Sequence, residues 1–163
     1  MSCKKARCGN HAVEGARLCQ KHIDEARDKT RTKITETVNK PDGEGGCWLW
    51  KGAVQQTGYG YMSSYGLSTN SKPAHWMALF AYSETDFDVL SHGEVHHTCK
   101  SPNCVNPSHL VHMKTEFHEL LHQFTNPKVA LLVCDHLLDA YPNAASEIAA
   151  LRDALTKAST PTA

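Results

Sequence analysis

The chain has 163 residues with 17 Lys+Arg against 17 Asp+Glu, and 40% apolar with 21% charged residues describes an ordinary soluble protein: one compact domain, with at most a small appendage. No apolar run approaches the roughly 20 residues of a membrane span, and the start MSCKKARC lacks the apolar stretch of a signal peptide, so a cytoplasmic location without membrane contact is expected. The zero net charge conceals a segregation of +5 over residues 1–40, −4 over 41–125 and −1 over 126–163, which suits phosphate attraction at one end and divalent-metal binding in the middle, or more plainly a solvated charged helix.

Residues 1–22 are rich in Cys and His, and 20–38 reads as a charged helix with sparse apolar positions at Ile23, Ala26, Ile34 and Val38. The breaker PDGEGG at 41–46 is the best domain boundary. Aromatic-rich strands are expected at 47–53 and 58–63, around a turn at Gln56-Thr57-Gly58. Pro73 suits the first turn of a helix reaching Tyr82, with Trp76, Leu79 and Phe80 inward. Glu94–His97 and Leu110–Met113 read as short strands joined by a loop containing Pro102 and Pro107. Thr115 is a candidate N-cap for a helix to Phe124. Two more helices are expected at 128–140 and 143–157, broken at Tyr141-Pro142-Asn143, and 158–163 should be a disordered tail.

In a reducing location a disulfide framework is unlikely chemistry, so 7 Cys and 11 His together point to metal. Cys3, Cys8, Cys19 and His22 form the pattern C-x4-C-x10-C-x2-H, with Gly9 and Gly15 supplying the reversals that let three thiolates and one imidazole surround a zinc ion. A 22-residue unit has no apolar core of its own, which favours zinc over free thiols. Cys99, Cys104 and His109 form C-x4-C-x4-H, stiffened by two prolines, with Cys47 as the natural fourth ligand. The remaining Cys134 lies in an apolar helical stretch and reads as a core residue. Two structural zinc ions are therefore expected.

His92-Gly93-Glu94 satisfies the H-x-E of zinc deaminases, but the required P-C-x-x-C does not follow, and that chemistry is rejected. A second set of histidines comprises His96, His97, His118 and His122, of which His118 and His122 share a helix face at i, i+4.

The run Cys-Trp-Leu-Trp (47–50), Gly58-Tyr59-Gly60, Ala74-His75 and His97-x-Cys99-x4-Cys104-x-Asn106-Pro107-x-His109-Leu110 resembles the ββα-metal (HNH, or His-Me finger) nucleases. Within them it is most similar to the zinc-loop branch, the His-Cys box and phage-type HNH homing endonucleases. The resemblance covers about residues 47–122, and the N-terminal unit also looks like those attached to phage HNH proteins. It implies that His97 is the general base that activates water, and that His96 stands where the family has a metal-binding residue, often Asp. His118 lies nine residues after His109, where the family usually has a metal-binding Asn. Imidazole replaces that amide in nuclease colicins, whose second helical His matches His122. The implied cofactor is one divalent ion (Mg2+, Mn2+, Ni2+ or Zn2+), with imidazole ligands shifting preference toward borderline metals.

The sequence departs from the family in arginine: none occurs between Arg31 and Arg152, and Trp76 follows His75 where the family often has Arg. Lys51, Lys72 or Lys114 would substitute as a point charge, less well than a guanidinium. His75 itself reads as a packed or hydrogen-bonded residue.

The expected architecture is α+β: an N-terminal zinc-binding unit (1–25), a basic helix or linker (26–40), a zinc-stapled ββα-metal core (41–125), a C-terminal helical pair (126–157) and a tail. The expected activity is metal-dependent hydrolysis of double-stranded DNA, with phosphate contacts from Lys4, Lys5, Arg7, Arg17, Lys21, Arg27 and Arg31. Trp48, Trp50, Tyr59 and Tyr61 could contact DNA, although strand-face packing is their default role. The alternative is a catalytically weak adaptor of the same fold. Ile148, Leu151 and Leu155 form a stripe that serves either a homodimer or packing on its own chain.

Overall fold

The computed structural model describes residues 1–43, 45–83, 85–115, 118–119, 127–140, 145, 148–149, 152–153 and 156, with backbone alone for 88–89, 127–128, 136–137 and 139–140. Helix α1 (Gln20–Thr37) runs directly into β1 (Val38–Asn39), which pairs antiparallel with β2 (Leu49–Trp50). The PDGEGG breaker thus lies inside a hairpin, with Gly43 at φ +79 in its turn. Strand β3 (Tyr61–Met62) pairs with β4 (Lys72–Pro73), which leads straight into α2 (Ala74–Tyr82). Helix α3 (Phe87–Ser91) precedes β5 (Glu94–His97), and β5 pairs with β6 (Leu110–Met113) in the register His97↔Leu110 to Glu94↔Met113. Thr115, His118 and Glu119 are helical, and α4 (Pro127–Ala140) follows. The fold is α+β, with helices arranged around three two-stranded antiparallel ladders. Among the described residues no helix is long and apolar enough to cross a membrane.

The strands expected at 47–53 and 58–63 shrink to two residues each because the chain curls around the Trp50 indole. Trp50 is buried, and its Nε1–H donates to the Ala53 carbonyl at 3.1 Å. A Cβ on Gly60 would lie 2.4 Å from Trp50 Cδ1, and one on Gly52 2.5 Å from Cζ2, so neither position has room for a side chain. The turn falls where expected: Gly58 N–H donates to Gln55 O at 2.9 Å, and Tyr61 N–H to Ala53 O at 2.8 Å closes the loop.

Helix α2 is the centre of the core. Met77 and Phe80 are fully covered, and Ala74, Ala78 and Ala81 let neighbouring backbone approach closely. Leu79 and Phe80 are buried as expected, whereas Trp76 is only half-buried, beside Lys72. One apolar cluster continues from Cys3, Leu18 and Ile23 through Ala26 and Ile34 to α2 and on to Val105 and Leu110. It crosses both the 25/26 division and the breaker.

Two arginines fasten α1 to the end of α2. Arg27 donates to the carbonyls of Phe80, Ser83 (2.6 Å) and Thr85 (3.1 Å), and its guanidinium lies 4.2 Å from the Phe80 ring centroid. Arg31 Nε–H donates to Ala81 O at 2.8 Å. These carbonyls include orphans of the α2 C-terminus, where a cation also meets the negative end of the helix dipole. Arg27 is thereby engaged inside the chain, whereas Arg31, which also pairs with Asp28 at 3.1 Å, stays exposed. At the other end of the molecule, Arg152 pairs with Asp135 at 2.8 Å, and Ile148 is buried against its own chain, while Leu151 and Leu155 lie outside the described residues.

Replacing Arg27 by Ala should lower stability by about 2–3 kcal/mol, since it strands several half-buried carbonyls at once. Arg27→Lys should recover only part, because an ammonium cannot reach three acceptors in one plane. Urea unfolding midpoints with unchanged m-values check this.

Candidate zinc centres and a histidine cluster

The N-terminal unit brings Cys3, Cys8, Cys19 and His22 together, with all four ligand atoms within 4.8 Å of one another. Cys19 is the N-cap of α1 and His22 lies in its first turn, so the helix presents both on one face. Backbone pairing does the rest: Cys3 N–H donates to Asn10 O at 3.0 Å and Lys4 N–H to Arg17 O at 2.9 Å. Gly15 takes the expected left-handed conformation at φ +73, but the reversal near Cys8 is carried by Arg7 at φ +60 rather than by Gly9.

The central cluster of Cys47, Cys99, Cys104 and His109 also gathers within 4.8 Å. Cys47 is delivered by a backbone ladder: Trp50 N–H donates to Asn103 O (3.0 Å), Val105 N–H to Trp48 O (2.9 Å), and Asn103 Nδ2–H to Trp50 O (2.8 Å). Asn106 locks the loop. Its Oδ1 accepts from Ser108 N–H at 3.0 Å, capping the single 3-10 turn Pro107–His109, while its Nδ2–H donates to Gly46 O at 2.6 Å, next to Cys47. Sequence reasoning gave Asn106 no such role, although an Asn immediately before Pro is the signature of a cap.

The edge lengths test whether zinc fits. A tetrahedral ion with Zn–S of about 2.3 Å and Zn–N of about 2.0–2.1 Å separates its ligand atoms by roughly 3.5–3.8 Å. Sγ–Nδ1 distances are 3.4 and 3.2 Å from Cys3 and Cys19 to His22, and 3.7 and 3.5 Å from Cys47 and Cys104 to His109. Cys8 Sγ lies 3.9 Å from Cys19 Sγ. Both clusters could therefore hold zinc, each as a closed four-ligand site with no position left for substrate.

The thiols are already unequal. Donation from the Cys104 S–H holds Cys99 down at about 5, and Cys104 is pushed up as the partner that keeps the proton. Burial would raise Cys3, but the N–H groups of Lys5 and Cys19 and the His22 ring together outweigh it and leave Cys3 at about 6. A cation entering either cluster meets a thiolate that is ionised at neutral pH. Cys134, fully buried in α4 with its thiol raised by burial, belongs to the core as expected.

The second histidine set divides across β5. His97 faces the core, 8% exposed, and its Nε2 lies 3.0 Å from the Cys104 carbonyl. A carbonyl can only accept, so Nε2 carries the proton and the neutral ring keeps its lone pair on Nδ1. Burial lowers the pKa of His97, so the ring is neutral at pH 7. His96 on the opposite side meets His118, with ring centroids 5.5 Å apart and planes at 72°. His122 lies outside the described residues.

Sequence reasoning undervalued two neighbours. His75, 5% exposed, packs against His97 with centroids 4.5 Å apart, and its buried Nδ1 has no partner among the described residues. Tyr59 tilts against His75 at 5.3 Å and His97 at 5.8 Å. The signals in the sequence were Gly58-Tyr59-Gly60 and Ala74-His75, both among the residues that carry the resemblance. Of the lysines offered for a missing arginine, Lys72 lies toward Trp76 and Phe87, while Lys51 and Lys114 are exposed. Lys4, Lys5, Arg7, Arg17 and Lys21 are all exposed around the first cluster.

No protein family, curated protein or solved structure matches this chain.

Elemental analysis should find two zinc ions per chain after dialysis against a weak chelator. Cys47→Ser should remove one and lower the melting temperature, whereas Cys134→Ser should leave the count at two. A separate expectation concerns acid. Burial, with His97 and His118 nearby, depresses His75 to about 3 from an ordinary 6.5. Between those values the unfolded chain takes up a proton that the folded chain refuses, so stability falls as pH drops from 6.5 toward 3, by up to about 1.4 kcal/mol per pH unit. His75→Phe should flatten that slope relative to the native chain in matched unfolding series.

Proposed function

We propose that the chain is a metal-dependent DNA endonuclease of the HNH, ββα-metal type, with β5, β6 and the helical residues after Lys114 as its catalytic core. One observation carries this reading: a single β-strand sets a buried, neutral, carbonyl-anchored His97 beside a His96 that meets a helical His118. A general base needs a lone pair in a fixed direction and a neutral state at working pH, and His97 has both. Its Nδ1 would take the proton of the attacking water, and the Cys104 carbonyl would steady the imidazolium that forms.

His96 and His118 would hold the divalent ion, with His122 as a further candidate. Two imidazoles at nearly a right angle and 5.5 Å between centroids suit neighbouring positions on one ion. When bound, that ion would polarise the phosphate and stabilise the leaving 3′-oxygen. The zinc clusters do no chemistry in this scheme. They hold the strand and loop that aim His97. Duplex DNA would be drawn by Lys4, Lys5, Arg7, Arg17, Lys21 and the exposed Arg31, with Arg27 committed to α2.

A second reading, a zinc-stapled nucleic-acid-binding adaptor, is favoured by the absence of arginine between Arg31 and Arg152 and by Lys72 lying beside Trp76. Plasmid nicking under Mg2+, Mn2+, Ni2+ and Zn2+ separates the two. The nuclease reading expects metal-dependent cleavage, lost by about 10²-fold or more in His97→Ala with zinc content and DNA binding intact. His118→Ala should also lose cleavage, and His118→Asn should restore part of it. Because His97 is depressed, the acid limb of activity should lie below the ordinary histidine value near 6.5. Full cleavage by pure His97→Ala would sink the mechanism.

A further inference from the structure

Among the described residues, His75 is the buried histidine that neither zinc cluster nor the proposed catalysis uses. It lies in the first turn of α2, at the centre of the core. A leucine or methionine would fill that volume without stranding a nitrogen, and a buried polar atom with no partner calls for a reason beyond packing. Among the described residues only the two zinc clusters gather three or more metal-ligating atoms, so His75 is not placed as a metal ligand.

Its neighbours suggest the reason. The Nε2–H of His97 is tied to the Cys104 carbonyl, which leaves rocking about that bond as the remaining freedom of the base. His75 closes one side, tilted by 55° against the His97 ring. Tyr59 leans on both rings. Tyr59 is itself held by Gly58 at φ +87 and by Gly60, whose missing side chain makes room for Trp50.

We propose that His75 is a positioning residue for His97: its ring backs the base, and its unpartnered Nδ1 takes up a polar contact when water and phosphate enter the site. This rests on the nuclease reading above for the base's task, but not for the geometry. His75 acts through His97.

The test uses the full zinc-loaded chain, supercoiled plasmid and Mn2+. His75→Phe keeps ring and volume but deletes the nitrogens, and His75→Asn keeps an amide near the position of Nδ1. With two zincs retained, His75→Phe should lower kcat about 10²-fold while KM stays within about twofold, and His75→Asn should recover a measurable share. Native kcat in His75→Phe, or no advantage of Asn over Phe, would overturn the proposal. A readout free of activity accompanies it: long-range 1H–15N spectra should show His97 as a sharp Nε2–H tautomer in the native chain and, with that tautomer kept by the Cys104 carbonyl, as broadened ring resonances in His75→Ala. An unchanged His97 spectrum there overturns the positioning role. A native chain that cleaves nothing, with His97 still released by His75→Ala, would remove the nuclease reading alone.

Discussion

Three thiols and an imidazole cannot crowd within 4.8 Å in the middle of a protein unless their charge is dealt with, and the central cluster makes that demand on residues 47, 99, 104 and 109. Thiolates at this spacing repel. They can coexist by sharing protons, as the opposed shifts of Cys99 and Cys104 describe, or by surrounding a cation that takes all of them as ligands. Either way the convergence closes a long span of chain, since Cys47 and His109 stand 62 positions apart. Among the described residues there is little regular sheet to compete with it. The ladders are two-stranded, with strands of two to four residues, and such pairs are marginal alone. Cross-links and the buried α2 therefore do the organising that a larger sheet would do elsewhere.

From that fastening the position of the histidines follows mechanically. The same loop that brings Cys104 to Cys47 aims its carbonyl at His97 Nε2. The same strand pairing that places His97 opposite Leu110 turns His96 to the other face, toward His118. Trp50 leaves no room for side chains at Gly52 and Gly60, and the loop that follows it curls around the indole, with Tyr59 against His75 and His97. Asn106 connects these events, capping the turn that carries His109 while holding Gly46. Loss of the central cluster would thus loosen the setting of His97, through the Cys104 carbonyl.

The charge pattern acquires a different meaning in three dimensions. The +5 of residues 1–40 suggested a uniformly basic arm. Arg27 faces inward, donating to carbonyls at the end of α2 and stacking on Phe80, while Arg31 reaches the Ala81 carbonyl from an exposed position. The exposed cations of this stretch include Arg31 and the set around the first Cys/His cluster, on a unit that shares its core with α2.

Much of this was legible in sequence because it depends on local spacing. Both ligand sets, the bounds of β5 and β6, the turn before Gly58 and the core role of Cys134 are fixed by residue type and separation, and separation survives folding. Tertiary structure decided what spacing cannot express. Whether Arg27 points to solvent or to a helix end depends on partners more than 50 residues away, and whether the breaker divides bodies or turns a hairpin depends on the pairing of Val38 with Trp50. The strands around Trp50 shortened for the same reason, since an indole needs volume that a one-dimensional pattern does not count. His75 shows the limit most clearly. Its place in Ala74-His75 gave only a packed or hydrogen-bonded residue, and the meeting of α2 with β5 presses it against the ring of His97 with a buried Nδ1 that has no partner among the described residues.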